Sequence, residues 1–494
     1  MNLIRNTFES ELRVDYFDMA DIGLIGLAVM GQNLALNIAD KGFTISVYNR
    51  TYSKTEDTVQ RAKDEGKGAY QLHGYKTIEE FVNSLAKPRK IIMLVQAGNP
   101  VDSTIELLTP LLDKGDIIID GGNEWFLNTE RRAKKAEEYG ILYMGMGVSG
   151  GEEGARHGPS LMPGGPLEAY NHVKHILEKI AAPLENEPSC VTYIGERGSG
   201  NYVKMVHNGI EYGDMELIAE VYDMMKHVGK LTNEEIAEAF SEWNNSELKS
   251  YLIEITSKIF KKKDDQGEGY LVDKIVDISG SKGTGKWTVQ EGAERGIAIP
   301  TMASALDARY ISSLRDQRLQ AEKQLTGPTP NDLTETIDKK VLIKQLKDAL
   351  YCSKICSYTQ GMNLIAEASK QYGWNLKLGS IARIWKGGCI IRAIFLDRIK
   401  NAYDLNPNLP SLLLDPDFNK EIAERQASWR KVIQLAINAG IPTPALSSSL
   451  AYYDSYRRGR LPANLIQAQR DFFGAHTFER LDMQGKFHAK WEEQ

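Results

Sequence analysis

Cysteine is scarce in this chain of 494 residues, with four in all: Cys190, Cys352, Cys356 and Cys389. They are too few and too irregularly spaced for a disulfide framework or a cysteine zinc site, so a reducing compartment is expected. Cys352 and Cys356 share a helix face, which reads as core packing. The eight histidines show no H-x-x-x-H or His–carboxylate spacing that demands a metal. His172 and His175 share a helix face, yet no cysteine or paired carboxylate completes a site, and no metal is predicted. No apolar run reaches the ~20 residues that a membrane-spanning helix needs. Positive charge is not in excess either: 60 Lys and Arg face 66 Asp and Glu, a net charge of −6. Nucleic acid and membrane surfaces are therefore not expected partners, and an anionic ligand would need locally placed cations.

What is present is ordinary in bulk, with 42% hydrophobic and 26% charged residues, the balance of a soluble globular protein. The length implies two or three domains. Residues 1–20 carry Glu9, Glu11, Asp15 and Asp18 beside only Arg5 and Arg13. That fits neither a transit peptide nor a signal peptide, so an N-terminal extension and a cytoplasmic location are expected. Residues 21–198 alternate short apolar runs with amphipathic stretches, the pattern of β-α-β units on a parallel sheet. Strands are predicted at Ile22–Ile25, Thr44–Tyr48, Lys90–Val95, Asp116–Asp120 and Leu142–Met144. Residues 199–456 repeat apolar positions at helical spacing and read as an all-helical domain. The stretch Thr326-Gly-Pro-Thr-Pro330 is its best internal break. Residues 457–494 lose long periodicity and read as an extended tail. The fold class is thus an α/β Rossmann-like N-terminal domain, a large all-α domain and a C-terminal tail.

The chemistry is carried by glycine turns and one helix face. Gly26-Leu27-Ala28-Val29-Met30-Gly31 stands between a strand and a helix at the first β-α turn. Gly26 permits the tight turn, Gly31 permits close helix–sheet packing, and the small Ala28 lets backbone approach a pyrophosphate at the helix N-terminus. At the end of the second strand an NAD site usually places a carboxylate for the ribose hydroxyl. Asn49-Arg50-Thr51 stands there instead, and the Arg50 guanidinium suits a 2′-phosphate, so NADP is preferred. Val95-Gln96-Ala97 and Asp120-Gly-Gly-Asn123 close two later strands and should border the cofactor. Gly147-Val-Ser149-Gly150-Gly151 offers consecutive N–H groups and a hydroxyl that form either an anion cradle or a flexible turn. Gly280-Ser-Lys282-Gly-Thr284-Gly285-Lys286 imitates a P-loop. Trp287 occupies the place of its magnesium-binding hydroxyl and no strand precedes it, so ATP is not expected. Lys204, His207, Asn208 and Glu211 stand at i, i+3, i+4 and i+7, within roughly a 100° arc of one helix face. This is either a solvated face with i,i+4 pairs or a ridge where Lys and Glu serve as base and acid.

Seven ordered segments decide between these readings: GLAVMG, NRT, DGGN, GVSGGEEGAR, KMVHNGIEYGDM, GSKGTGKW and NLIQAQRDFFGAH. Across Asp21 to about His476 the chain resembles the 6-phosphogluconate dehydrogenases, decarboxylating NADP enzymes of the pentose phosphate pathway. The resemblance implies oxidation of 6-phosphogluconate at C3, loss of CO2 and release of ribulose 5-phosphate, with Lys204 as general base and Glu211 as general acid. It implies that Asn123, Ser149, Gly150, Gly151, His207 and Asn208 contact the sugar acid. Tyr212, Lys282, Thr284 and Arg309 would hold the 6-phosphate, while Gly26–Gly31, Asn49–Thr51, Val95–Ala97 and Asn123 line NADP. It implies a homodimer in which the tail enters the partner subunit, so that Arg470 and His476 complete the other site. One departure is Gln96, where lysine is expected in many members; charge support for the 2′-phosphate then rests on Arg50. Residues 1–20 have no counterpart in the resemblance. The rival readings are a non-decarboxylating β-hydroxyacid dehydrogenase, which would lack the set Lys282, Arg309 and Arg470, and an inactive NADP-binding sensor, against which Lys204 and Glu211 both stand.

Overall fold

A computed structural model describes residues 19–334 and 336–492; most of the expected N-terminal extension lies outside them. Seven strands form the first sheet: β1 Ile22–Ile25, β2 Ile45–Tyr48, β3 Leu72–Gly74, β4 Lys90–Met93, β5 Ile117–Asp120, β6 Leu142–Ser149 and β7 Ser160–Gly164. Their order is β3-β2-β1-β4-β5-β6-β7, parallel except for the antiparallel pair β6–β7. Strand side chains alternate between faces, and both faces are covered. Ile117 and Ile119 enter one core with Ile22, Leu24 and Ile92, whereas Ile118 enters the opposite core with Ile25, Ile91 and Met93. This double burial explains the nearly continuous apolar runs. The strand order reverses between β1 and β4, which opens a crevice beyond their carboxyl ends, the usual ligand position in such sheets.

Two strands, β3 and β7, are additional to those expected. β3 is only Leu-His-Gly and shows no alternation. β7 contains Pro163 and Gly164, which normally mark a strand's end. Leu161 N–H points away from β6 to the Cys190 carbonyl, and two residues on, the missing N–H of Pro163 falls on that same side, so the β6 pairing survives. β6 itself extends past Met144 to Ser149.

From Ser199 onward the chain is helical. Ser199–Asp223 runs for 25 residues and Lys339–Tyr372 for 34. The second is capped by the Asp338 carboxylate, which accepts from the N–H groups of Lys340 and Val341, and it ends at Gly373 with φ 69°. Its buried residues occupy every face, as expected of a helix through the middle of a core. The Thr326–Pro330 stretch separates it from the preceding helix, Arg315–Ala321. One core runs from the sheet region into the helices: Phe126 meets Tyr202 and Trp374 edge-on, with centroids 4.9 and 6.2 Å away. The tail is not wholly extended, because Ala463–Gly474 is a helix followed by the hairpin Phe478–Glu479 with Lys486–Phe487. The buried Asp471 carboxylate ties them together by accepting from the Thr477 and Ala489 N–H groups and the Trp491 indole. Leu465, Ile466, Phe472 and Phe473 of this helix remain exposed.

Candidate active site

The glycine turn is dictated by crowding. Gly26 has φ +98°, and a Cβ there would lie 2.4 Å from the Leu94 carbonyl oxygen; one on Gly31 would lie 1.8 Å from the Gly26 carbonyl oxygen. The helix Val29–Asp40 starts without a side-chain cap and without an acidic residue in its first turn. Its first N–H groups are therefore left for an anion. Asn49 links the turn to the end of β2: its Oδ1 accepts from Leu27 N–H at 2.9 Å, and its Nδ2 donates to the Thr51 carbonyl at 3.0 Å. Arg50, between those contacts, is exposed. Val95 and Ala97 are half-buried after β4, while Gln96 and Asn123 are exposed. All these residues stand at the carboxyl ends of β1, β2, β4 and β5, around one crevice.

A buried network holds the β4 and β5 loops. Arg132, 1% exposed at its side chain, donates to Glu124 at 2.6 Å, to Asp102 at 2.8 Å and to the Gly98 carbonyl at 2.9 Å. Glu124 accepts from Gly98 N–H at 2.8 Å. Burial pushes Asp120 up to about 6, while Tyr143 donates to it. Glu124 and Arg132 escape motif reading because neither belongs to a recognisable spacing.

The ridge helix is pressed against the sheet. A Cβ on Gly200 would come within 2.3 Å of the carbonyl oxygens of both Gly145 and Met162. Asn201 then aims the helix: its Oδ1 accepts from Thr129 at 2.9 Å and its Nδ2 donates to the Gly122 carbonyl at 3.3 Å. This ties the ridge to the loop bearing Asn123. One turn on, a Cβ on Gly147 would sit 2.4 Å from Lys204 Cβ, so the lysine rises directly beside β6 and Ser149.

The ridge is not a solvated face: Lys204 and His207 are buried, and Asn208 and Glu211 are half-buried. Lys204 is 5% exposed and His207 is 0% exposed. Ser149 Oγ lies 3.2 Å from His207 Nε2, His207 Nδ1 lies 3.0 Å from Asn208 Oδ1, and Asn208 Nδ2 donates to Thr284 Oγ1 at 3.0 Å. The last bond orients the amide, so Nδ1 carries the proton and Nε2 accepts from Ser149. Burial, and then Lys204, hold the imidazole well below its ordinary range, which agrees with that neutral form. Burial also lowers Lys204, against the opposing field of Glu211. It raises Glu211, against Lys204, Arg309 and Lys282. An amine and a carboxyl on one face are thus pushed toward their neutral forms, as a base and an acid require.

Cationic groups gather beyond Glu211. The Arg309 guanidinium lies 3.5 Å from the Tyr212 ring centroid and donates to the Gly280 carbonyl at 3.0 Å. Gly285 abuts the same ring, and Thr284 opens its helix after Gly283 at φ +95°. Lys282 is exposed alongside. Gly150 and Gly151 turn β6 into a short helix at φ +127° and +61°; a Cβ on Gly150 would meet the Gly388 carbonyl at 2.5 Å. Arg470 and His476 are not brought to the ridge within this chain. Both are exposed on the tail, where Arg470 donates to Gln467 and His476 meets Phe473. A cavity of about 940 Å³ lined by Tyr52, Val59, Leu72 and Tyr75 contains none of the ridge side chains. The converging acid, base and cations locate the site better than that volume does.

Two family models divide the chain. Residues 21–195 match the NAD binding domain of 6-phosphogluconate dehydrogenase, and residues 200–491 match the C-terminal domain of that enzyme. The decarboxylating 6-phosphogluconate dehydrogenase 1 of Spinacia oleracea is 65% identical over 95% of this chain and 97% of its own length. The decarboxylating enzyme of Synechococcus elongatus is 56% identical over 96% of this chain and 99% of its own. Among solved structures, Plasmodium falciparum 6-phosphogluconate dehydrogenase, described in apo form, with its cofactor NADP+ and with its substrate 6-phosphogluconate, superposes with a TM-score of 0.92. It is 55% identical and covers 95% of this chain and 100% of its own. Matched in both halves, with a buried Lys–Glu ridge between a dinucleotide turn and a cationic cluster, the chain belongs to the 6-phosphogluconate dehydrogenase family.

Proposed function

We propose that this chain oxidises and decarboxylates 6-phosphogluconate to ribulose 5-phosphate and CO2, with NADP reduced to NADPH. The observation that carries this reading is the buried ridge, where Lys204 is shifted down and Glu211 up on one helix face. Gly26–Gly31, Asn49–Thr51, Val95–Ala97 and Asn123 would hold NADP, which supplies the hydride acceptor. Lys204, shifted toward its neutral form by burial, takes the C3 hydroxyl proton as the C3 hydride leaves. The product is a β-keto acid, whose carbonyl accepts the electron pair when the C1–C2 bond breaks and CO2 departs. The Lys204 ammonium then donates a hydrogen bond to the developing oxyanion. Glu211 delivers its proton to the former C2, which becomes C1 of the pentose. Ser149, Gly150, Gly151, His207 and Asn208 orient the sugar acid, and Tyr212, Lys282, Thr284 and Arg309 hold its phosphate.

Within this reading, residues 21–198 bind NADP, residues 199–456 bind substrate and form a homodimer, and residues 457–494 carry Arg470 and His476 to the partner's site. The 74% exposure of Phe473 supports that role for the tail. No helix among the described residues is long and apolar enough to cross a membrane. A cytoplasmic location belongs to this reading; several relatives are described as chloroplastic. The test is to incubate the protein with NADP and 6-phosphogluconate and follow NADPH and CO2 together. Equal release supports the reading. NADPH without CO2 identifies a non-decarboxylating dehydrogenase, and neither product identifies a sensor.

A further inference from the structure

Behind the acid lies a buried ion pair that the reaction above does not use. Asp214 follows Glu211 by three residues on the same helix, a spacing that puts their Cβ atoms about 5–6 Å apart. Its side chain and that of Lys354, from the middle of the Lys339–Tyr372 helix, are each 1% exposed, and Lys354 Nζ donates to Asp214 Oδ2 at 2.5 Å. The Tyr358 hydroxyl, one turn beyond Lys354, lies 2.8 Å from the Ile391 carbonyl oxygen and 3.3 Å from Asp214 Oδ2. Asp214 Oδ1 is buried with no hydrogen-bond partner. A buried pair of this kind contributes little net stability, since apolar replacements of similar volume are often neutral or stabilising. Its retention next to the acid therefore calls for another role.

Cations crowd Glu211. Lys204 approaches it from the same helix, Arg309 from the helix Pro300–Ser312 and Lys282 from the loop before Thr284, and all three oppose the effect of burial; Asp214 reinforces it. Tyr358 also lies within the field of Glu211, and the neutral His207 places Nδ1 3.9 Å from its carboxylate.

We propose that Asp214 is a positioning residue for the acid: its carboxylate, held by the Lys354 ion pair and the Tyr358 hydroxyl, offsets the surrounding cations, so that Glu211 keeps the proton it delivers. The inference rests on the assignment of Glu211 as acid. It is tested by the pH profile of kcat for the wild type, Asp214→Asn and the double variant Asp214→Asn/Lys354→Met, which leaves neither charge buried. In Asp214→Asn the descending limb should move to lower pH by roughly 0.5–2 units. That is the range a unit charge about 6 Å away gives between water-like and protein-like screening. In the double variant it should move the same way by less, because the Lys354 cation leaves with the carboxylate. The ascending limb should move less, because Lys204 feels Glu211 and Cys389 but not Asp214 among its main influences. If Asp214→Asn is too unstable to assay, the uncharged double variant decides. A folded variant whose descending limb stays with the wild type would overturn the proposal and leave the pair a structural feature only. Absence of wild-type turnover would refute the functional reading instead.

Discussion

Adding one methyl group at Gly147 should displace the base. The new Cβ would lie 2.4 Å from Lys204 Cβ, 2.9 Å from Lys204 Cγ and 3.3 Å from Met162 Cβ. Carbon atoms pack at about 3.5–4.0 Å, so the strand and the ridge helix must separate by roughly 1–1.5 Å. No rotamer change relieves this, since the Lys204 Cβ position is set by the helix backbone. Separation also pulls Gly200 away from the two carbonyl oxygens it packs against one turn earlier, so the whole ridge shifts. Overpacking of this kind costs about 1–3 kcal/mol of stability, which a protein of this size can survive. Misplacing a catalytic group by about 1 Å can cost on the order of 10²-fold in rate. Gly147→Ala should therefore fold, bind NADP with near-native affinity and lose about 10²-fold in kcat. Steady-state kinetics beside a cofactor titration would measure both. A folded variant with kcat within about twofold of wild type would refute the claim that contact with β6 positions Lys204.

Other outcomes follow from the same geometry. Lys204→Met should bind NADP yet lose about 10²–10⁴-fold in turnover, the range for removing a general base; near-normal turnover would exclude the assignment. Arg50→Glu should weaken NADP by about 10–100-fold while NAD changes little, as expected for loss of a charge-assisted contact. An unchanged preference, measured by kcat/KM with both cofactors, would move 2′-phosphate recognition elsewhere. Arg132→Met should destabilise the fold by about 3–5 kcal/mol, because Glu124 is left buried without its cation; denaturant unfolding within about 1 kcal/mol of wild type would contradict that network.

The parts legible in sequence were those whose cause is local. The apolar runs of β1, β4 and β5, the glycine spacing of the first turn and the four-residue ridge each follow from spacing within a short stretch of chain. Whether the ridge was solvated was not local. It is buried because Gly147, Met162 and Trp385 close over it, and the His207–Trp385 ring contact joins residues far apart in the chain. β3 and β7 were missed because their identity as strands comes from pairing with β2 and β6, not from their own composition. The tail helix was missed because it is short and its apolar residues, Leu465, Ile466, Phe472 and Phe473, stay largely exposed rather than joining a core. Asn201 and Arg132 carry no motif, and only the loops they hold reveal what they do.

The central claim is that one buried helix face supplies a neutral base and a protonated acid, and the pH dependence of kcat reads it most directly. Lys204 must be neutral to accept a proton, so activity should rise with pH through a value below the ordinary lysine 10.5. Glu211 must be protonated to donate, so activity should fall again as pH rises through a value above the ordinary glutamate 4.5. The two limbs belong to the coupled pair. Glu211→Gln should lower kcat and abolish the descending limb of the residual activity. An ascending limb at the ordinary lysine value, or a descending limb that survives Glu211→Gln, would contradict the account.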